Sequence, residues 1–263
     1  MPIIVPAYYY AQQGADPTLP YPAEGYGGWA TTQVQIDLSR TAVLVMHAWN
    51  VPKDEAHVRH LEYLQRADVI IHDRYPKFLQ AVRKKGVRLI HVVAGFEQGL
   101  QDRPGYRRVM KKYPPVVRQE IEKSAETKKL FAEHWRLVAA DRDIYAEQFE
   151  CGYAQYSLAI DPLDSEDIVV AENQLFSLCC EHGIEHLIYT GFAVNACLLN
   201  AACGMVDMSR RGLMCSVVGD LTTALENKET CRTQENLKHG LWKFATSHGF
   251  VFLSEELRRA LLC

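Results

Sequence analysis

Residues 185–220 read EHLIYTGFAVNACLLNAACGMVDMSRRGLMCSVVGD, and the reading of this stretch decides the fold. His186–Thr190 is a short apolar run closed by Gly191, which predicts a buried strand. A turn, Gly191–Asn195, leads into small and apolar residues from Ala196 to Met208 with helical periodicity. Arg210 and Arg211 fall in the last turn of that predicted helix, and Gly212 stands where a C-terminal cap belongs. A second apolar run, Leu213–Val218, follows at once. Strand, helix and strand in this order predict one crossover unit of a parallel sheet.

Cys197 lies in the first turn of the predicted helix, with Asn195 as its expected N-cap. A thiol there meets the positive end of a helix dipole and free backbone N–H groups, which favour the thiolate and can bind an oxyanion. The bland alternative is a small buried cysteine packed on the sheet.

The run Gly191-Phe-Ala-Val-Asn-Ala-Cys197 resembles the nucleophile motif of the isochorismatase-like cysteine hydrolases, the nicotinamidase and carbamoylsarcosine amidase superfamily. The resemblance extends from about Leu38 to Leu257. It implies that Cys197 attacks a carbonyl, typically of an amide. It also implies a cis peptide at Phe192–Ala193 and an oxyanion hole built from the N–H groups of Ala193 and Cys197. The family pattern further calls for an aspartate base at the end of the first strand and a lysine after the third.

Both of those positions depart from the pattern. Thr41–His47 is a near-continuous apolar run typical of a central parallel strand, and it ends in His47 where the family has its aspartate. Trp49 and Asn50 follow, at the mouth where open α/β sheets bind ligands; with Phe192 and Asn195 they are the candidate substrate contacts. After the expected third strand, Asp167–Ala171, the nearest match to the lysine is Glu172. Two readings stay open. In one, Cys197, His47 and Glu172 form a cysteine–histidine–carboxylate set that hydrolyses an amide or ester through a thioester. In the other, the catalytic unit is lost and the fold serves binding or assembly.

The rest of the chain fits one α/β domain of 263 residues: a doubly wound, mostly parallel six-stranded sheet with helices on both faces. Residues 1–36, rich in Pro, Gly and Tyr, read as an extended arm over the domain or a neighbouring subunit, and 37–263 as the hydrolase-like domain. Ala67–Lys85 has helical spacing and ends at Gly86; Val87–Val93 predicts the next strand, with His91 as a satisfied core or interface histidine. Residues 96–156 show no strand and read as a lid or insertion, with helices expected over 116–128 and 130–140. Its Arg107 and Arg108 are either solvated or carboxylate-binding. Asp220 is expected to orient or cap, Thr233–His248 to form a helix, and Ser254 to cap the closing helix.

A net charge of −3 gives no reason to expect nucleic acid or an acidic membrane surface as partner. No apolar run reaches membrane length, and no signal peptide is read at the N-terminus. The eight cysteines show no Cys-x-x-Cys and no zinc spacing, which fits a reduced, cytoplasmic protein without metal or cofactor. His57 and His60, three apart, read as solvated histidines rather than metal ligands. A small-molecule substrate and a homo-oligomer, dimer or tetramer, complete the expectation.

Overall fold

The computed structural model describes residues 2–50, 62–116, 119–138, 156–157 and 159–263. His57 and His60 lie outside the described residues. No described helix is long and apolar enough to cross a membrane.

β3 (Thr41–Met46) is the centre of the sheet. All six of its residues are buried, and its alternation feeds two separate cores. Val43 and Val45 point to one face, Ala42, Leu44 and Met46 to the other. A strand buried on both faces needs apolar residues at every position, hence its unbroken TAVLVM. The other strands are β1 (Pro2–Ala11), β2 (Gly28–Asp37), β4 (Arg88–Val92), β5 (Asp167–Val169), β6 (His186–Gly191), β7 (Met214–Thr222) and β8 (Val251–Phe252).

They form one eight-stranded sheet in the order β2-β1-β8-β7-β6-β3-β4-β5. From β3 the chain steps outward through β4 to β5, then returns to β6 on the opposite side and steps outward through β7 to β8, all in parallel. The topological switch therefore falls between β3 and β6, and such sheets open a crevice there at the strands' C-terminal ends.

The count of eight corrects the six expected. β1 and β2 form an antiparallel hairpin paired along ten residues each, and β1 docks on β8 through Tyr8 and Val251. Ile3, Val5 and Ala7 point into the core, while Tyr8, Tyr9 and Tyr10 in succession hide that alternation in the sequence.

Helices cover both faces. On one lie α1 (Glu62–Val69), continued through a π turn over Ile70–Arg74 into α2 (Tyr75–Lys85), and the closing helix, Ser254–Leu262. Gly86, in the left-handed region at φ 75°, terminates α2 as expected. On the other face pack residues of Glu172–His182, Met205–Arg210 and Glu235–Ser247.

Residues 96–156 carry α3 (Pro104–Lys112) and α4 (Ala125–Val138). α4 runs unbroken through the expected gap at Lys129, and Val116 lies outside any helix, which corrects both predicted boundaries. Arg108 is exposed but not free for a ligand: its guanidinium bridges to Asp167 at 2.8 Å and to the carbonyls of Asp164, Ser165 and Glu166. Arg107 pairs with Asp102.

Candidate active site at the switch point

Two chain segments meet where β3 and β6 end. Met46 pairs with Gly191 across the two strands, and the N–H of Phe192 donates to the Met46 carbonyl at 3.0 Å. His47, the next residue, is held by its own N–H to Val92 at 2.9 Å. Its backbone sits in the left-handed region at φ 48°, an uncommon setting for a non-glycine residue that often marks functional sites.

The His47 side chain is 3% exposed and packs against Phe96 with ring centroids 4.9 Å apart. Neither ring nitrogen has a hydrogen-bond partner. Burial pushes its pKa down to about 4, so the imidazole is neutral at physiological pH.

The peptide between Phe192 and Ala193 is cis, as the family resemblance implies. Phe192 is fully buried between Trp49, at 5.4 Å, and Tyr75, at 6.5 Å. Trp49 bridges to Tyr156, and the Ala48 carbonyl accepts from Ser157 at 2.7 Å, which fixes the strand mouth. Asn50 is half-buried beside them. Val194 donates its N–H to the Thr223 carbonyl at 2.8 Å.

Asn195 does not cap the helix. Its amide clasps the backbone of Leu225, donating to the carbonyl and accepting from the N–H, both at 2.9 Å. With the side chain so engaged, Ala196 becomes the N-cap and the helix starts at Cys197. The long helix expected over 196–208 is broken as well. A four-residue turn, α6 (Cys197–Asn200), is followed by a bend and then by α7 (Met205–Arg210). Cys203 has φ 70°, and a Cβ at Gly204 would stand 2.7 Å from the Leu199 carbonyl, so this backbone cannot continue as helix.

Cys197 is half-buried. Desolvation raises its pKa, opposed by the backbone N–H of Ala193, which reaches the sulfur. The expected thiolate is thus not favoured at rest: a single helical turn has few aligned peptide dipoles, and the cost of burying the charge wins.

Glu172 opens α5 (Glu172–His182), the helix after β5. Its carboxylate pairs with Arg211 at 2.6 Å, and that guanidinium stacks over Phe176 at 4.5 Å. Glu172 is therefore committed to the end of α7 and does not orient the His47 ring.

A second buried network surrounds His91, a satisfied core histidine as expected, with partners that its local sequence does not name. His91 in β4 is fully buried; Glu166 lies 2.8 Å from its Nε2 and the Tyr156 hydroxyl 2.6 Å from its Nδ1. Arg83 binds the same carboxylate through Nε at 2.7 Å and Nη2 at 3.1 Å. A histidine inside an apolar strand demands such partners, and that demand was the one local signal. Among the described residues no group of three or more His, Cys, Asp or Glu side chains is placed to hold a metal ion.

Neither protein-family models nor characterised proteins match the sequence. Solved structures do. A cysteine hydrolase from Pseudomonas syringae pv. phaseolicola superposes with TM-score 0.54 at 16% identity, over 86% of this chain and 94% of the other. An isochorismatase-like hydrolase from Alkaliphilus metalliredigens gives 0.51 at 16% identity, over 85% and 99%. The chain has the fold of the isochorismatase-like cysteine hydrolases, reached with a strongly divergent sequence.

Proposed function

We propose that the protein is a cysteine hydrolase of a small amide- or ester-type carbonyl substrate, with Cys197 as nucleophile and His47 as its base. The observation that carries this reading is a neutral imidazole, buried and without a hydrogen-bond partner, at the same sheet mouth as the Cys197 turn. A base of low affinity for protons and a thiol of raised pKa at the same sheet mouth do not form a resting ion pair. The proton instead leaves the sulfur as the S–C bond forms. The carbonyl oxygen becomes an oxyanion received by the N–H groups of Ala193 and Cys197, and the imidazolium returns its proton to the leaving amine or alkoxide. Water, deprotonated by the same imidazole, then hydrolyses the thioester. Trp49, Asn50 and the neighbouring backbone frame the substrate.

The test is acyl trapping with p-nitrophenyl acetate, followed by peptide mass spectrometry. Acetylation confined to Cys197, absent in Cys197→Ala and strongly slowed in His47→Asn, supports the reading. Acetylation that ignores both substitutions refutes it.

Two observations favour the rival reading, a silent site on a binding scaffold. The Cys197 thiol is pushed away from the thiolate, and Glu172 is engaged by Arg211 instead of the histidine. An intact fold with no acylation of Cys197 would select it.

A further inference from the structure

A second cleft, ≈ 410 Å³, opens between α1, the end of β7 and the start of the helix Glu235–Ser247. Val69, Ile70 and Leu237 give it apolar walls, and Arg66, Arg74, Asp220, Thr222, Thr223 and Gln234 supply its polar groups. We propose that this cleft binds a small organic carboxylate, gripped by the Arg66 guanidinium and the Thr223 hydroxyl.

Thr223 is 1% exposed, yet its hydroxyl has no hydrogen-bond partner. Arg66 has a buried Nε without a partner, and its Nη2 makes a single long contact, 3.4 Å, to the Ala224 carbonyl. Buried polar groups are normally bonded, so two orphans on residues that line one cleft mark a place built for an acceptor. The other charges around the cleft are already matched. Arg74 donates to the backbone and carboxylate of Asp220, which also accepts from the N–H and hydroxyl of Ser254. The first N–H groups of the helix Glu235–Ser247 are taken by Glu226, which accepts from Asn236 and Leu237 at 3.1 Å each.

Arg66 is thus the cation left uncompensated here among the described residues. Its planar fork fits a carboxylate, and one positive charge balances one negative. Apolar walls then select a ligand with an apolar body over inorganic phosphate. The Thr223 carbonyl holds Val194 in the Cys197 turn, so the occupant would sit one backbone group from that turn. The inference does not depend on Cys197 being catalytic.

Calorimetric titration with benzoate, benzamide and inorganic phosphate tests it on the wild-type chain and on Arg66→Gln and Thr223→Val. Saturable benzoate binding is expected, with benzamide weaker by roughly tenfold or more, as for loss of one charge-assisted contact. Arg66→Gln should lose a similar factor. Thr223→Val should weaken benzoate while leaving the thermal midpoint unchanged or higher, because it removes an unbonded hydroxyl. Absence of benzoate binding, equal affinity for benzamide, preference for phosphate, or indifference to Arg66→Gln would each overturn the proposal. Should Arg66→Gln fail to fold, Thr223→Val and the benzamide comparison decide.

Discussion

The α-carbon of Gly191 lies so close to the Met46 carbonyl that a Cβ built on it would stand 1.8 Å from that oxygen. At the same residue φ is 115°, a region costly for any L side chain. The glycine six residues before Cys197 is therefore a packing requirement of the β3–β6 junction. Gly191→Ala should cost roughly 3 kcal/mol or more, or prevent folding, by urea denaturation. Gly212→Ala is the control. It also has positive φ, but open space around it, and should cost only about 1 kcal/mol.

Burial holds His47 near pKa 4 and His186 near 4 in the folded state, below the value of 6.5 for a free histidine. Between those values the unfolded chain binds more protons than the native one. Stability is therefore full above about pH 6.5 and falls as the pH drops toward 4, by about 3 kcal/mol for His47 alone. Glu166 acts in a lower window. Burial opposes its ionisation, but hydrogen bonds from His91 and Arg83 outweigh this and bring it to about 2, so its contribution is lost only as pH falls from about 4.5 toward 2. Urea midpoints between pH 4 and 7 should show a shallower slope in His47→Asn, a residue that also tolerates φ 48°.

Glu166→Ala removes the shared acceptor of Arg83 and His91 and leaves both without their buried partner. A loss of roughly 3–5 kcal/mol is expected. Tyr156→Phe removes only the hydroxyl on His91 Nδ1 and should cost about 1–3 kcal/mol. The double variant should lose less than the sum, because the groups share one network.

Asn195→Ala releases both hydrogen bonds to Leu225 and frees the turn that carries Cys197. Expected are a loss of about 1–3 kcal/mol and slower acetylation of Cys197. Asn195→Asp keeps the acceptor for the Leu225 N–H but sets a carboxylate against the carbonyl, and should not rescue either property.

Desolvation of Cys197 predicts slow alkylation. At pH 7.5, about one unit below a free thiol, iodoacetamide should label the exposed Cys180 and Cys263 before Cys197. Preferential labelling of Cys197 would mean that the thiol is activated in the resting protein.

Local chemistry was readable along the chain. The unbroken apolar runs gave β3, β4 and β6, Gly86 gave the end of α2, and the Gly191–Cys197 run placed the turn at the sheet mouth. These features depend on side-chain periodicity and on backbone conformations that few residue types adopt. What escaped depends on groups far apart in sequence. The Asn195 amide finds Leu225 and Glu172 finds Arg211, and each pairing redirected a residue whose local role had seemed set; His91 was legible as a satisfied core histidine, but its partners Tyr156 and Glu166 were not. The helix breaks between Asn200 and Met205, where Cys203 takes φ 70° and Gly204 has no room for a Cβ beside the Leu199 carbonyl, which no propensity records. The thiol likewise followed its burial rather than its place at a helix start. The sequence by itself determined the six parallel strands, the turn and the presence of Cys197 and His47 at their ends. The tertiary structure alone decided which polar groups are paired and which remain free, because desolvation and hydrogen bonding belong to neighbours brought together by the fold.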